Sequence, residues 1–198
     1  MYKYKNIRVM VRQSVFHPGL FFSTKMILSY LEGLNIQGKS FLEIGSGSGL
    51  ISISAARKQA KVTAIEISRK ALENTRENAV LNSVELDTIL SDLFNQLPNR
   101  VFDLVVFNPP YYPKKIIKES DYAWYSGENH QYFEKLFSGL KNHIHSESVV
   151  IMSWSEDSDL KPVEKIADKY GFRLKTEARK WIWFETNFIY CIELKESR

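Results

Sequence analysis

The chain has 198 residues, 44% hydrophobic and 25% charged, which suits one globular domain with a sizeable core and argues against disorder. No apolar run reaches the length of a membrane span and no charged-then-apolar start reads as a signal peptide, so a cytoplasmic protein away from membranes is expected. The net charge of +4 is a mild bias that selects no partner, and the single Cys191 leaves no internal disulfide.

Residues 2–11 alternate loosely and predict an edge strand or arm, whose lysines blunt the edge or touch nucleic acid. His17, Pro18 and Gly19 mark a turn, and Ser23 or Thr24 is placed to cap a helix running to Gly33. From Ser40 strands and helices alternate: strand 40–44, helix 50–57, strand 61–65, helix 68–81 capped by Ser68, a short strand 87–90 and strand 102–107. Glu73 and Glu77 fall four apart on the surface of the 68–81 helix. Residues 108–129 lack periodicity and are rich in polar and aromatic side chains, as a long functional loop is. Helix 131–140, strand 149–153, helix 160–170, strand 172–177 and strand 188–194 complete the pattern. This alternation implies a parallel sheet with right-handed crossovers. With no repeat, linker or low-complexity run, residues 1–198 read as one domain with a short N-terminal extension, 1–38.

The strand over 40–44 ends in Gly45-Ser46-Gly47-Ser48-Gly49, a turn that lets backbone approach a ligand with no Cβ in the way. The helix after it offers free N–H groups and a positive dipole end. A dinucleotide fingerprint wants its third glycine where Leu50 stands, whereas Gly49 comes one position earlier. The next strand ends in Glu66, 21 residues after Gly45, the spacing at which a carboxylate can take a ribose diol.

The third signal is Asn108-Pro109-Pro110-Tyr111, directly after an apolar strand. Neither proline has an N–H, so the tetrapeptide presents acceptors only: the Asn108 side-chain oxygen and the Pro109 carbonyl. Two acceptors can grip both hydrogens of an –NH2 group, and Tyr111 can stack on its plane. Together the three motifs resemble a class I S-adenosylmethionine (SAM)-dependent methyltransferase of the nitrogen-methylating kind.

With SAM as cofactor and S-adenosylhomocysteine as product, the backbone around Gly45, Ser46, Gly47 and Gly49 is expected at the methionine end. Glu43 orients its ammonium indirectly, Glu66 takes the ribose, and Asp92 takes the adenine amino group or is simply a helix N-cap or turn carboxylate. The wider chain is similar to the HemK family, the glutamine N5-methyltransferases of peptide-chain release factors, from about Val15 to the C-terminus. Ala123 to Asn129, with Trp124, resembles the Trp-x-Gly-Gly stretch of the family's short branch, and Thr24 matches a family threonine with changed spacing. The resemblance implies a Rossmann-like seven-stranded, mostly parallel sheet with an antiparallel last strand and helices on both faces. It also implies Tyr111, Trp124 and Thr24 at the substrate, catalysis by Asn108, Pro109, Pro110 and Tyr111, and a small activating subunit in the archaeal and eukaryotic branch.

Two departures stand out. Bacterial release-factor enzymes carry a separate N-terminal domain, whereas about 40 residues precede the glycine turn here, and the family's acid before the threonine is missing. The same tetrapeptide serves adenine and guanine methylation in RNA or DNA. The stretch Arg179-Lys180-Trp181-Ile182-Trp183-Phe184 is either a single-stranded nucleic-acid surface or a core strand flanked by charge. A SAM-binding protein without turnover is a third reading. His17, His130, His143 and His145 lack metal-ligand spacing, His143 and His145 are expected at a solvated helix end, and Cys191 in the core.

Overall fold

The computed structural model describes residues 1–13, 15–19, 22–182 and 185–195. A seven-stranded sheet carries the fold. Its strands are β3 (Ser40–Ile44), β4 (Lys61–Glu66), β5 (Asp87–Leu90), β6 (Phe102–Phe107), β7 (Ile144–Ser155), β8 (Phe172–Ile182) and β9 (Glu185–Leu194). Their order is β5-β4-β3-β6-β7-β9-β8. All neighbours are parallel except β9, which runs antiparallel to both β7 and β8, so the last strand is the reversed one, as expected.

Alternation along each strand splits the core in two. Val105 and Phe107 of β6 face α4 (Gln131–Leu140) and α5 (Lys161–Lys169) through Phe133, Leu136, Phe137 and Val163. Leu104 and Val106 face the other side, where α1 (Phe22–Glu32) and α2 (Leu50–Arg57) supply Ile27, Leu28, Leu31, Ile51 and Ile53. The register aligns Ile44 with Ile65 on β4 and with Phe107 on β6, and Phe107 with Met152 on β7. The next residues of these four strands are therefore level: Gly45, Glu66, Asn108 and Ser153 form one row across the strand ends, where α/β sheets bind ligands.

α3 (Arg69–Leu81) begins as expected, with Ser68 Oγ accepting from Ala71 N. Its polar face does more than pack. The N-terminal residues form a small antiparallel hairpin, β1 (Tyr2–Tyr4) and β2 (Ile7–Val9), and then run alongside α3. Asn82, Asn78 and Asn74 accept from the backbone N–H groups of Arg8, Met10 and Arg12 at 3.1, 2.8 and 3.1 Å. Their amide nitrogens donate back, Asn82 to Arg8 O and both Asn78 and Asn74 to Met10 O. Four helical residues rise about 6 Å and two extended residues about 6.6 Å, so side chains spaced i, i+4 keep step with alternate residues of a strand. The two acids expected on the surface of α3 both pair with Arg12.

Several boundaries differ from the sequence reading. α1 starts at Phe22, so Ser23 and Thr24 are buried in its first turn and do not cap it. β7 begins at Ile144, because Ser148 Oγ donates to Phe102 O and secures an irregular stretch ahead of the regular pairing. His143 is consequently buried, stacked on Phe94 with Nδ1 at Arg100 O, and His145 lies in β7; neither is at a solvated helix end. β8 extends to Ile182, and Arg179, Lys180 and Trp181 are exposed on this outermost strand, which removes the core-strand reading; Trp183 and Phe184 fall outside the described residues. Cys191 is half-buried rather than a core residue, and burial raises its thiol pKa.

Candidate active site

A cavity of about 460 Å³ lies over the row of strand ends. The glycine turn forms its floor: Gly45 and Gly47 have φ of 77° and 54°, and a Cβ at either would project into open space. Gly49 serves packing instead, since a Cβ there would lie 2.8 Å from Thr75 Cγ2 and 3.2 Å from Thr75 Cα. Thr75 also donates to Gly47 O at 3.1 Å and meets Ser46 Oγ at 3.0 Å, so the buried Ser46 hydroxyl is tied to α3.

Two carboxylates border the turn. Glu66 Oε2 accepts from Gly47 N at 3.0 Å and Oε1 from Ser68 N at 2.9 Å. Burial raises its pKa against the pull of these N–H groups, and no cation pairs with it among the described residues. Each Glu66 oxygen keeps acceptor capacity for a donor in the cavity. Glu43, on the α2 side of β3, accepts from Ser52 N at 2.8 Å and from Ser52 Oγ. Burial pushes its pKa to about 8. Asp92 lines the cavity in a turn, its carbonyl accepting from Asn95 N, while its carboxylate pairs with Lys135 at 2.7 Å. No helix starts at Asp92, so the N-cap reading is set aside.

The open cradle beside Gly45 and Gly47 and the unpaired Glu66 carboxylate fit a nucleoside carrying an amino-acid tail. The donor set of the cavity thus agrees with SAM.

Asn108 leaves β6 into Pro109, Pro110 and Tyr111, all lining the cavity. Asn108 Oδ1 accepts from Tyr111 OH at 2.6 Å and from Ser153 Oγ at 2.7 Å. The two hydroxyls lie 3.5 Å apart, so they clamp the carboxamide from behind. Tyr111 packs edge-on against Trp154, ring centres 5.2 Å apart, and burial raises its hydroxyl pKa to about 12. The expected free Asn108 oxygen is thus already engaged in this arrangement.

The stretch 108–129, expected to be irregular, is pinned at several points. Tyr112 bridges Tyr125, Ser126 N donates to Tyr112 O, and Asp121 accepts from Ile117 N and Lys118 N. Glu119 accepts from Ser68 Oγ at 2.7 Å, joining the loop to the start of α3. Trp124 packs on Phe16 of the N-terminal segment at 5.3 Å, and both line the cavity with the buried Thr24. The fold therefore brings every expected site residue to one cavity, except that Gly49 packs behind it.

Ser153, Tyr132, Ser155, Glu185 and Asn187 escaped sequence reasoning. The first is one of four serines along β7, with nothing in its spacing to single it out, and the last two reach the cavity only because β9 is antiparallel. Tyr132, beside Glu66 and Asp92, has its hydroxyl pKa raised by burial. Of the basic-aromatic stretch, Arg179, Lys180 and Trp181 of β8 do not line the cavity.

A profile of the methyltransferase small domain matches residues 6–123. Over 177 residues the chain is 32% identical to a candidate protein N5-glutamine methyltransferase of Methanocaldococcus jannaschii, spanning 85% of this chain and 89% of that protein. It is 43% identical over 83 residues to a release factor glutamine methyltransferase of Fusobacterium nucleatum, which is 40% of this chain and 23% of that enzyme. The fold matches a methyltransferase from Pyrococcus furiosus with a TM-score of 0.74 at 18% identity, over 96% of this chain and 90% of that one. It also matches, at a TM-score of 0.67, 22% identity and 92% and 100% coverage, the E. cuniculi Mtq2-Trm112 complex responsible for methylation of the eRF1 termination factor.

Proposed function

Starting from the chain's membership of the methyltransferase small domain family, we propose that it methylates the side-chain amide nitrogen of a glutamine in a protein, a release factor being the first candidate. The observation that carries this reading is the level row of Gly45, Glu66 and Asn108 along one cavity, which supports a cofactor cradle beside an amide-gripping motif. When bound, SAM supplies an electrophilic methyl group on a sulfonium, leaving as the thioether of S-adenosylhomocysteine.

The residues divide the task along the sheet. The backbone at Gly45, Ser46 and Gly47 holds the amino-acid tail, with Glu43 behind it and Gly49 setting the turn. Glu66 takes the ribose hydroxyls and Asp92 the adenine amine. Asn108 Oδ1 and the Pro109 carbonyl accept the two amide hydrogens of the substrate, and Pro110 contributes no competing donor. Tyr111 and Ser153 are hydroxyls that donate or accept, so a half-turn of the Asn108 carboxamide keeps both contacts while presenting Oδ1 to the substrate. An amide nitrogen is a poor nucleophile, and holding it in line is worth ~7–11 kcal/mol in favourable cases. Tyr111, Trp124 and Thr24 wall the acceptor space. A partner chain like that of the E. cuniculi Mtq2-Trm112 complex is the candidate for an activating subunit.

Labelled SAM is supplied with purified release factor or with total RNA, each with and without the small subunit. Label in the release factor, lost in Asn108→Ala with cofactor affinity retained, is the expected result. Label in RNA alone rejects the protein assignment.

A further inference from the structure

The cavity has a second end that the motifs leave unexplained. Cofactor-side residues follow β3, β4 and β5, whereas the far wall is built where β7 ends and β9 begins. Ser155 and Asn187 face each other across that ladder, 7% and 2% exposed. Glu185 lies two residues before Asn187 and so shares its face of the strand.

Neutral groups hold the Glu185 carboxylate in place. Asn187 Nδ2 donates to Oε1 at 2.9 Å and Ser155 Oγ to Oε2 at 3.3 Å. Among the described residues no lysine, arginine or histidine pairs with it. A carboxylate offers about four acceptor positions, so each oxygen keeps one for a ligand. A second sign lies across the same space: Ser23 Oγ, on a residue only 3% exposed that lines the cavity, has no partner at hydrogen-bond distance among the described residues, although the Tyr111 hydroxyl lies near it. Asp157 adds another negative charge to this end of the wall.

We propose that Glu185 reads the substrate, accepting hydrogen bonds from N–H donors that the polypeptide carries beside its methylated glutamine and turning away phosphate-bearing acceptors. The donors are backbone amides or an arginine side chain; both can donate N–H groups to a carboxylate, the arginine as a fork. A phosphate chain meets like charge at Glu185 and Asp157, so this end of the wall favours protein over nucleic acid. The inference rests on the methyltransferase reading above and names what selects its substrate.

Steady-state kinetics of Glu185→Ala and Glu185→Gln with the release factor as acceptor, alongside calorimetric cofactor affinity, test it. Glu185→Ala is expected to raise KM for the release factor about tenfold with cofactor affinity unchanged, measured at a temperature where both variants remain fully folded. Near-recovery in Glu185→Gln identifies neutral backbone amides as the donors, and a loss equal to that of alanine identifies a guanidinium. An unchanged KM in Glu185→Ala overturns the proposal, as does a loss that tracks the thermal midpoint. Wild-type protein that labels only RNA rejects the glutamine reading itself, a different failure from an active enzyme indifferent to Glu185.

Discussion

Replacing Asn78 by alanine removes three hydrogen bonds at once: from Met10 N at 2.8 Å, to Met10 O at 2.7 Å and to Ser48 O at 2.9 Å. Met10 is 47% exposed and its carbonyl keeps the Asn74 donor at 3.0 Å, so each bond lost there is worth about 1 kcal/mol. Ser48 is 4% exposed, and its carbonyl, left without that donor, costs about 1–3 kcal/mol. The sum, about 3–5 kcal/mol, is a large share of the ~5–15 kcal/mol by which domains are stable. Asn78→Asp keeps the acceptor for Met10 N but sets a buried carboxylate against two carbonyls, so it should destabilise more than alanine. Urea unfolding measures the loss, and hydrogen exchange locates it. The Met10 amide should exchange far faster in Asn78→Ala, while the Leu42 amide, deep in the sheet, should follow only the global change. A Met10 amide as protected as in wild type, or an aspartate variant more stable than the alanine one, would refute the reasoning.

Glu43 gives a pH prediction. Its folded pKa of about 8 lies above the ordinary 4.5, so between those values the unfolded chain holds fewer protons than the folded one and stability falls as pH rises. Thermal melts of the cofactor-free protein should show Glu43→Gln gaining on wild type from pH 5 to pH 8, with a constant gap above; a gap that shrinks with pH contradicts the assignment. Gly49→Ala meets both an unfavourable φ of 77° and the Thr75 backbone, so it should cost about 2 kcal/mol or more in urea melts, and Thr75→Ser should not rescue it. Ser153→Ala loosens the clamp on Asn108 and should lower kcat about tenfold with cofactor affinity intact, with Ser153→Thr retaining most of the rate; equal rates in all three would remove the clamp from the mechanism.

The motifs were legible because a parallel sheet converts sequence position into place: a residue that ends one strand stands level with the residue that ends its neighbour. Gly45, Glu66 and Asn108 could therefore be assigned to one site from their strands alone, and most element boundaries fell within a few residues. What stayed hidden depends on partners remote in sequence. Asn74, Asn78 and Asn82 look like an ordinary polar helix face until the N-terminal segment lies along them. Ser23 and Thr24 resemble caps, but apolar burial of α1 draws the helix start back to Phe22. Glu185 and Asn187 gain meaning only from the direction of β9, which no local pattern encodes.

The placement of β9 between β7 and β8 also bears on how the molecule is assembled. β8 emerges from the ribosome before the one strand it binds, so for a time it is a ribbon with neither edge occupied. Arg173, Lys175, Arg179 and Lys180 are spread along it, charge that keeps such a waiting ribbon from joining another copy of itself.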